Sequence, residues 1–145
     1  MDLQTHYRKL ENMYLNHPLN SYYQATISIS NKNSEILLTI RPDFHHALSA
    51  VHGSVYWKLL DDSAFFAANS VVDDVFVLTA SFTIYLTAPV SSGTLKAKGK
   101  LVYNTKGSQL LAESILYNDL NEEIARGNGV YIRSKVALTP EVGYK

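Results

Sequence analysis

The stretch VLTASFTIYLTA, Val77 to Ala88, constrains the fold more than any other part of the chain. Leu78, Ala80, Phe82, Ile84 and Leu86 fall on one side of it, and Thr79, Ser81, Thr83, Tyr85 and Thr87 on the other. A period of two held for ten residues predicts a strand with its apolar face toward a core. Pro89 and Ser91-Ser92-Gly93 then turn the chain. Three further strand-like stretches follow, TLKAKGKLVY, QLLAESILY and IARGNGVYIRSK, separated by Asn104-Thr105-Lys106-Gly107 and by NDLNEE. Consecutive strands joined by short turns pair antiparallel, because parallel pairs need long crossovers.

Helical periodicity governs the first half. Leu3, Tyr7, Leu10 and Tyr14 predict a short amphipathic helix over about 2–15, ended by His17-Pro18. ATISIS and EILLTI flank the turn Asn31-Lys32-Asn33-Ser34 and read as a hairpin, which Arg41-Pro42-Asp43 closes. His45 to Val51 is a loop. From Gly53 to about Ser70, Val55, Leu59 and Phe66 lie on one helical track and Trp57, Ala64 and Ala68 on another. A helix apolar on most sides is a buried one, and Trp57 is assigned to the core. The tail after Lys135 shows little pattern. One buried helix and one antiparallel sheet to wrap it make an α+β domain.

Size and charge narrow the function. The chain has 145 residues, suited to one domain over 1–145. A domain of this size buries roughly 70% of its unfolded surface. There is no cysteine, which removes disulfides, zinc–thiolate sites and thiol nucleophiles and fits the cytoplasm. Thirteen basic and thirteen acidic residues cancel, so net charge makes no case for nucleic acid. The opening MDLQTHYRKLENMY has no apolar secretory core. No apolar run approaches the ~20 residues that span a bilayer.

The segment VHGSVYWKLLDD, Val51 to Asp62, concentrates the chemistry. Gly53 falls in the first turn of the long helix, where backbone N–H groups lack intrahelical partners. Such amides, with the helix dipole, stabilise an anion or a developing oxyanion. His52-Gly53 also describes a plain helix entry. Asp61 shares its track with Trp57, Ala64, Phe65 and Ala68, whereas Asp62 has Lys58 one turn before it. Asp61 is therefore the carboxylate in apolar surroundings, where desolvation raises its pKa toward the range of a general base. Asp62 reads as structural or solvated. The alternative leaves both at a wet helix edge. His45, His46 and His52 lack a compact metal-ligand spacing. Lys96, Lys98 and Lys100 line one face of a strand and read as a solvated outer face. No nucleophile elbow, phosphate loop or dinucleotide fingerprint is present.

HALSAVHGSVYWKLLDDSAFFAANS followed by VFVLTASFTIYLTAPVSSGTLKAKGKLVY resembles the hotdog-fold acyl-CoA thioesterases of the phenylacetic-acid-degradation type. The terminal IARGNGVYI is similar to that family's last strand. The likeness covers roughly residues 20–135. It implies a hotdog fold, with a five- or six-stranded antiparallel sheet wrapped around the long helix. It also implies a homodimer, often paired again into a homotetramer, with sites built from both chains. The family's acid falls on Asp61, its oxyanion-binding amide on Gly53, its histidine on His52 and its water-positioning hydroxyl on Thr79. His46 stands where the family often has an amide side chain, and Ser54 replaces its second glycine. The activity implied is hydrolysis of an acyl- or aryl-CoA thioester, with Asp61 as general base or nucleophile. No separate cofactor is expected, since coenzyme A belongs to the substrate. Two other readings are a non-catalytic acyl-CoA-binding module and a hydratase. The second usually needs an acid–histidine pairing that the sequence lacks.

Overall fold

The computed structural model describes residues 2–145. Helix α1 (Leu3–Leu15) starts at Asp2, whose carboxylate accepts the Thr5 N–H at 2.9 Å. Tyr7, Leu10, Met13 and Tyr14 bury its inner face, while Leu3 stays exposed at the open end. His17-Pro18 does end α1, yet Pro18 also opens a second helix, α2 (Pro18–Tyr23). Proline is tolerated at a first helical position because its missing N–H would have no partner there. Strands β1 (Thr26–Ser30) and β2 (Asn33–Thr39) form the expected hairpin. Helix α3 (Gly53–Asn69) then crosses to β3 (Val75–Leu86), and β4 (Thr94–Asn104), β5 (Gln109–Tyr117) and β6 (Glu123–Ala137) complete the sheet. All six strands pair antiparallel in the order β1-β2-β4-β5-β6-β3. No helix among the described residues is long and apolar enough to cross a membrane.

The sheet closes around α3. Leu59, Leu60, Ala64 and Ala67 of the helix have no exposed surface. Contact is closest at Gly99 in β4, where an added Cβ would lie 2.0 Å from the Ser63 carbonyl oxygen. Only glycine fits beneath the helix there. The serine hydroxyls of β2 and β5 tie the helix to the sheet: Ser34 donates to Ser63 O at 2.5 Å and Ser114 to Leu60 O at 2.8 Å. These bonds satisfy polar groups that would be costly to bury alone.

Strand β3 departs from its expected facing. Its register against β6 shifts between Thr79 and Ser81, a β-bulge at Ala80. Before the bulge the odd residues point inward: Val77 is buried and Thr79 half-buried, while Leu78 is 48% exposed. After it the even residues do so, and Phe82 and Ile84 pack on the core. Leu78 and Ala80 therefore belong to the outer face, against the uniform alternation. Leu86, at the strand's end, is also exposed.

One further expectation is corrected. Trp57 is 39% exposed and meets Phe82 edge-on at 5.6 Å, at the open rim of the helix instead of in the core. The tail is ordered by contacts: Tyr144 is buried and its hydroxyl lies 2.7 Å from His6 Nδ1, while His6 Nε2 is 3.0 Å from Asn69 O. A carbonyl only accepts, so Nε2 carries the proton and Nδ1 accepts from Tyr144. One buried histidine thus joins α1, the end of α3 and the C-terminal segment.

Candidate active site

Helix α3 carries two chemically distinct places. At its start, His52 is the N-cap, and its Nδ1 accepts the Ser54 N–H at 3.0 Å with Ser54 Oγ at 2.8 Å. Accepting an N–H fixes Nδ1 as the lone-pair nitrogen of the neutral ring, so Nε2 holds the proton. Ser54 therefore engages the cap and does not crowd the helix start. The Gly53 N–H, one of the first-turn amides, takes no partner among the described residues. It borders a cavity of about 360 Å³, also lined by His46, Tyr56 and Leu86. His46 is exposed, and its Nδ1 accepts the Leu48 N–H at 3.1 Å. Its outer nitrogen is left as a donor. An antiparallel bridge between His45 and Val51 closes this loop, and a bond from His45 Nε2 to Ser91 O at 2.8 Å ties it to the β3–β4 connection.

The second place lies two turns on. Asp61 Oδ1 accepts from Thr79 Oγ1 at 3.0 Å and from the Tyr131 hydroxyl at 2.9 Å. Thr79 and Tyr131 are direct cross-strand partners in β3 and β6. The bulge that begins at Thr79 keeps its hydroxyl inward while Phe82 fills the core beyond. Both donors reach the same carboxylate oxygen, and Oδ2 takes no hydrogen bond from the described residues. Burial pushes the Asp61 pKa up, and the bonds from Tyr131 and Thr79 pull against that rise. Burial, with the Asp61 charge beside it, pushes the Tyr131 phenol far up, so it stays a neutral donor. Asp61 opens onto a hollow of about 280 Å³ bordered by Phe65, Phe66, Phe76 and Tyr14.

Asp62 differs from its neighbour and is not solvated. Its Oδ2 accepts from Lys58 Nζ at 2.6 Å, and Lys58 also donates to Asn20 Oδ1 at 2.6 Å. The Asp62 and Lys58 side chains are 20% and 13% exposed, so this is a largely enclosed ion pair within α3, and the Lys58 bond to Asn20 ties it to α2. Burial raises the Asp62 pKa, and Lys58 opposes the rise.

Of the residues singled out from sequence, Asp61 and Thr79 come together, and Gly53, His52 and His46 share the helix start. The two groups do not meet within one chain. Eight residues separate Gly53 from Asp61 on one helix, about 12 Å along its axis at ~1.5 Å per residue. Tyr131 went unseen in the sequence. It is one of ten tyrosines, and only the register of β6 against β3 marks it. Among the described residues no group of three or more His, Asp or Glu side chains gathers in a metal-binding arrangement.

A six-stranded antiparallel sheet wrapped around one long helix, with a short helix before it, is the hotdog fold. It is the fold of PaaI from the phenylacetic acid degradation operon of E. coli, which superposes with a TM-score of 0.85 at 18% identity, over 94% of this chain and 98% of that one. A thioesterase of Haemophilus influenzae matches at a TM-score of 0.76 and 14% identity over 83% of this chain and 85% of its own. A thioesterase of Staphylococcus aureus matches at 0.75 and 13% identity over 80% and 98%. No protein-family model and no curated protein matches the sequence.

Proposed function

We propose that the protein is a homodimeric hydrolase of acyl-CoA thioesters, with each site shared between two chains. The observation that carries this reading is the Asp61 carboxylate. It is half-buried, with one oxygen holding two donors and the other free of hydrogen bonds from the described residues, and the residue lines a hollow. That is the condition of a base directed at a single water. The structural likeness to thioesterases supports the reaction class.

A second copy supplies what one chain lacks. The Gly53 amide is too far from Asp61 on the same helix to reach the carbonyl that an Asp61-activated water attacks. Strand β3 is an edge strand of twelve residues without a charge or proline, and it exposes Leu78, Tyr85 and Leu86. Natural edges of that length are usually blunted, covered or paired. Pairing β3 with its symmetry mate joins two sheets and brings the helix start of one chain toward Asp61 of the other.

In the reaction, Asp61 takes a proton from water while the water oxygen bonds to the thioester carbonyl carbon. The carbonyl oxygen becomes an oxyanion, held by the Gly53 N–H of the partner with the protonated nitrogen of His52 or His46 beside it. The intermediate collapses, the C–S bond breaks, and the thiolate of coenzyme A leaves with the proton that Asp61 took from water, which returns the carboxylate. A panel of short, medium, long and aryl acyl-CoA substrates, with free-thiol detection, tests the proposal. Thiol release lost in Asp61→Asn supports it. Binding of acyl-CoA with no thiol release from any substrate would identify a non-catalytic acyl-CoA-binding module instead.

A further inference from the structure

We propose that Tyr131 is a positioning residue of this site: with Thr79 it clamps Oδ1 of Asp61, so that Oδ2 alone meets the reacting water. The inference deepens the thioesterase reading and rests on it. Three observations carry it. The Tyr131 hydroxyl lies 2.9 Å from Asp61 Oδ1 and 3.3 Å from the Asp61 backbone oxygen, so its one proton is directed to the carboxylate by the shorter contact. Thr79 adds a second donor to the same oxygen at 3.0 Å. Tyr131 itself has no exposed surface, and its ring is fixed edge-on by Phe65 at 6.0 Å and by Phe82 at 6.5 Å. A donor with no freedom to move, on the strand next to β3, pins both the rotation and the hydrogen-bonding state of the carboxylate.

The clamp answers a conflict built into the site. A base must be ionised, yet burial favours the neutral acid. The titratable groups around Asp61 are Asp62 and Lys58 on α3, Tyr131 on β6, Tyr14 on α1 and His17 in the α1–α2 turn. Strand β3 contributes none, because Val75–Leu86 carries no charged residue and its one tyrosine, Tyr85, is exposed. Lys58 is engaged with Asp62 and Asn20, so the hydroxyls of Tyr131 and Thr79 are the groups bonded to the Asp61 side chain. Both bonds favour the ionised form against the pull of burial, and they do so without a cation that would weaken it as a base.

The test is Tyr131→Phe, which deletes one oxygen and keeps the ring, read in two ways. The first is the NMR titration of the Asp61 carboxyl carbon in substrate-free protein. The second is the pH profile of thiol release. The expected result is an Asp61 titration and an acid limb of kcat/KM both moved up by about one to two pH units, the worth of one hydrogen bond to a charged group. kcat near neutral pH should fall roughly 10- to 100-fold, with KM little changed. Thr79→Val should move the titration in the same direction and carries the test if Tyr131→Phe does not fold. An unmoved titration in a folded variant would overturn the proposal, as would an activity loss with an unshifted pH profile, which is the mark of packing alone. If the wild type cleaves no acyl-CoA, the thioesterase reading fails, and the titration still decides whether the clamp exists.

Discussion

Gly53→Pro tests the amide proposed to hold the oxyanion while leaving the helix start in place. Proline removes the N–H and sets its ring Cδ on the nitrogen where that donor pointed. Gly53 is the first residue of α3, where proline's fixed φ suits the helix and its N–H has no intrahelical partner to lose. The preceding His52 has φ −64° and ψ 143°, the extended conformation that a residue before proline prefers. The nearest neighbour of an added Cβ is Leu86 Cδ1 at 3.3 Å, the tip of a flexible and exposed side chain. Stability should therefore hold or rise by about 0.4–1 kcal/mol through the restricted unfolded chain. Activity should not hold. Loss of one oxyanion donor costs about 2.7–4 kcal/mol in the barrier, or roughly 10²–10³ in kcat. Thiol-release kinetics beside a thermal melt read both effects. Gly53→Ala is the control: it keeps the N–H, adds the same Cβ, and should stay within a few-fold of wild type. A folded Gly53→Pro protein with undiminished kcat would refute the assignment of this amide.

Three other outcomes follow from the packing and electrostatics. Burial raises the folded-state pKa of Asp61 above its unfolded value, so its ionisation opposes folding as pH rises through that pKa. Asp61→Asn should then melt above wild type at pH 8 while losing thiol release, and the gain should vanish below about pH 3.9, where the carboxyl is protonated in both states. Lys58→Met strands the enclosed Asp62 and should cost about 1–3 kcal/mol by urea denaturation at neutral pH, less as acid neutralises Asp62. Gly99→Ala drives a Cβ into the Ser63 carbonyl and should cost at least ~3 kcal/mol, with a melting temperature lower by roughly 6 °C or more.

The segments legible in the sequence are those whose side chains repeat with the period of their element. The helix beginning at Gly53, the β1–β2 hairpin and the four long strands all announce themselves in this way. The split between Asp61 and Asp62 was half legible. Lys58 one turn away marked Asp62 as the paired carboxylate, but its enclosure depends on Asn20 from α2, a helix that opens at the proline where α1 was expected to end. The bulge at Ala80 was hidden because its effect is a swap of faces, and small or hydroxyl residues at 79–81 fit either face. Trp57 failed as a core residue because helical periodicity gives direction around an axis and says nothing of where the covering sheet ends. Tyr144 and Tyr131 depend on long-range pairing: one on a histidine 138 residues away, the other on strand register. No local pattern encodes either.

The proposed site is shared between two chains, and mixed dimers test that sharing directly. Asp61→Asn and Gly53→Pro should each inactivate the proposed homodimer. Unfolded together and refolded, they form mixed dimers in which one of the two sites combines the intact Asp61 of one chain with the intact Gly53 of the other. Random pairing in a twofold dimer should restore roughly one quarter of the wild-type thiol-release rate. No recovery in the co-refolded mixture, with wild type recovering fully under the same treatment, would contradict the shared site.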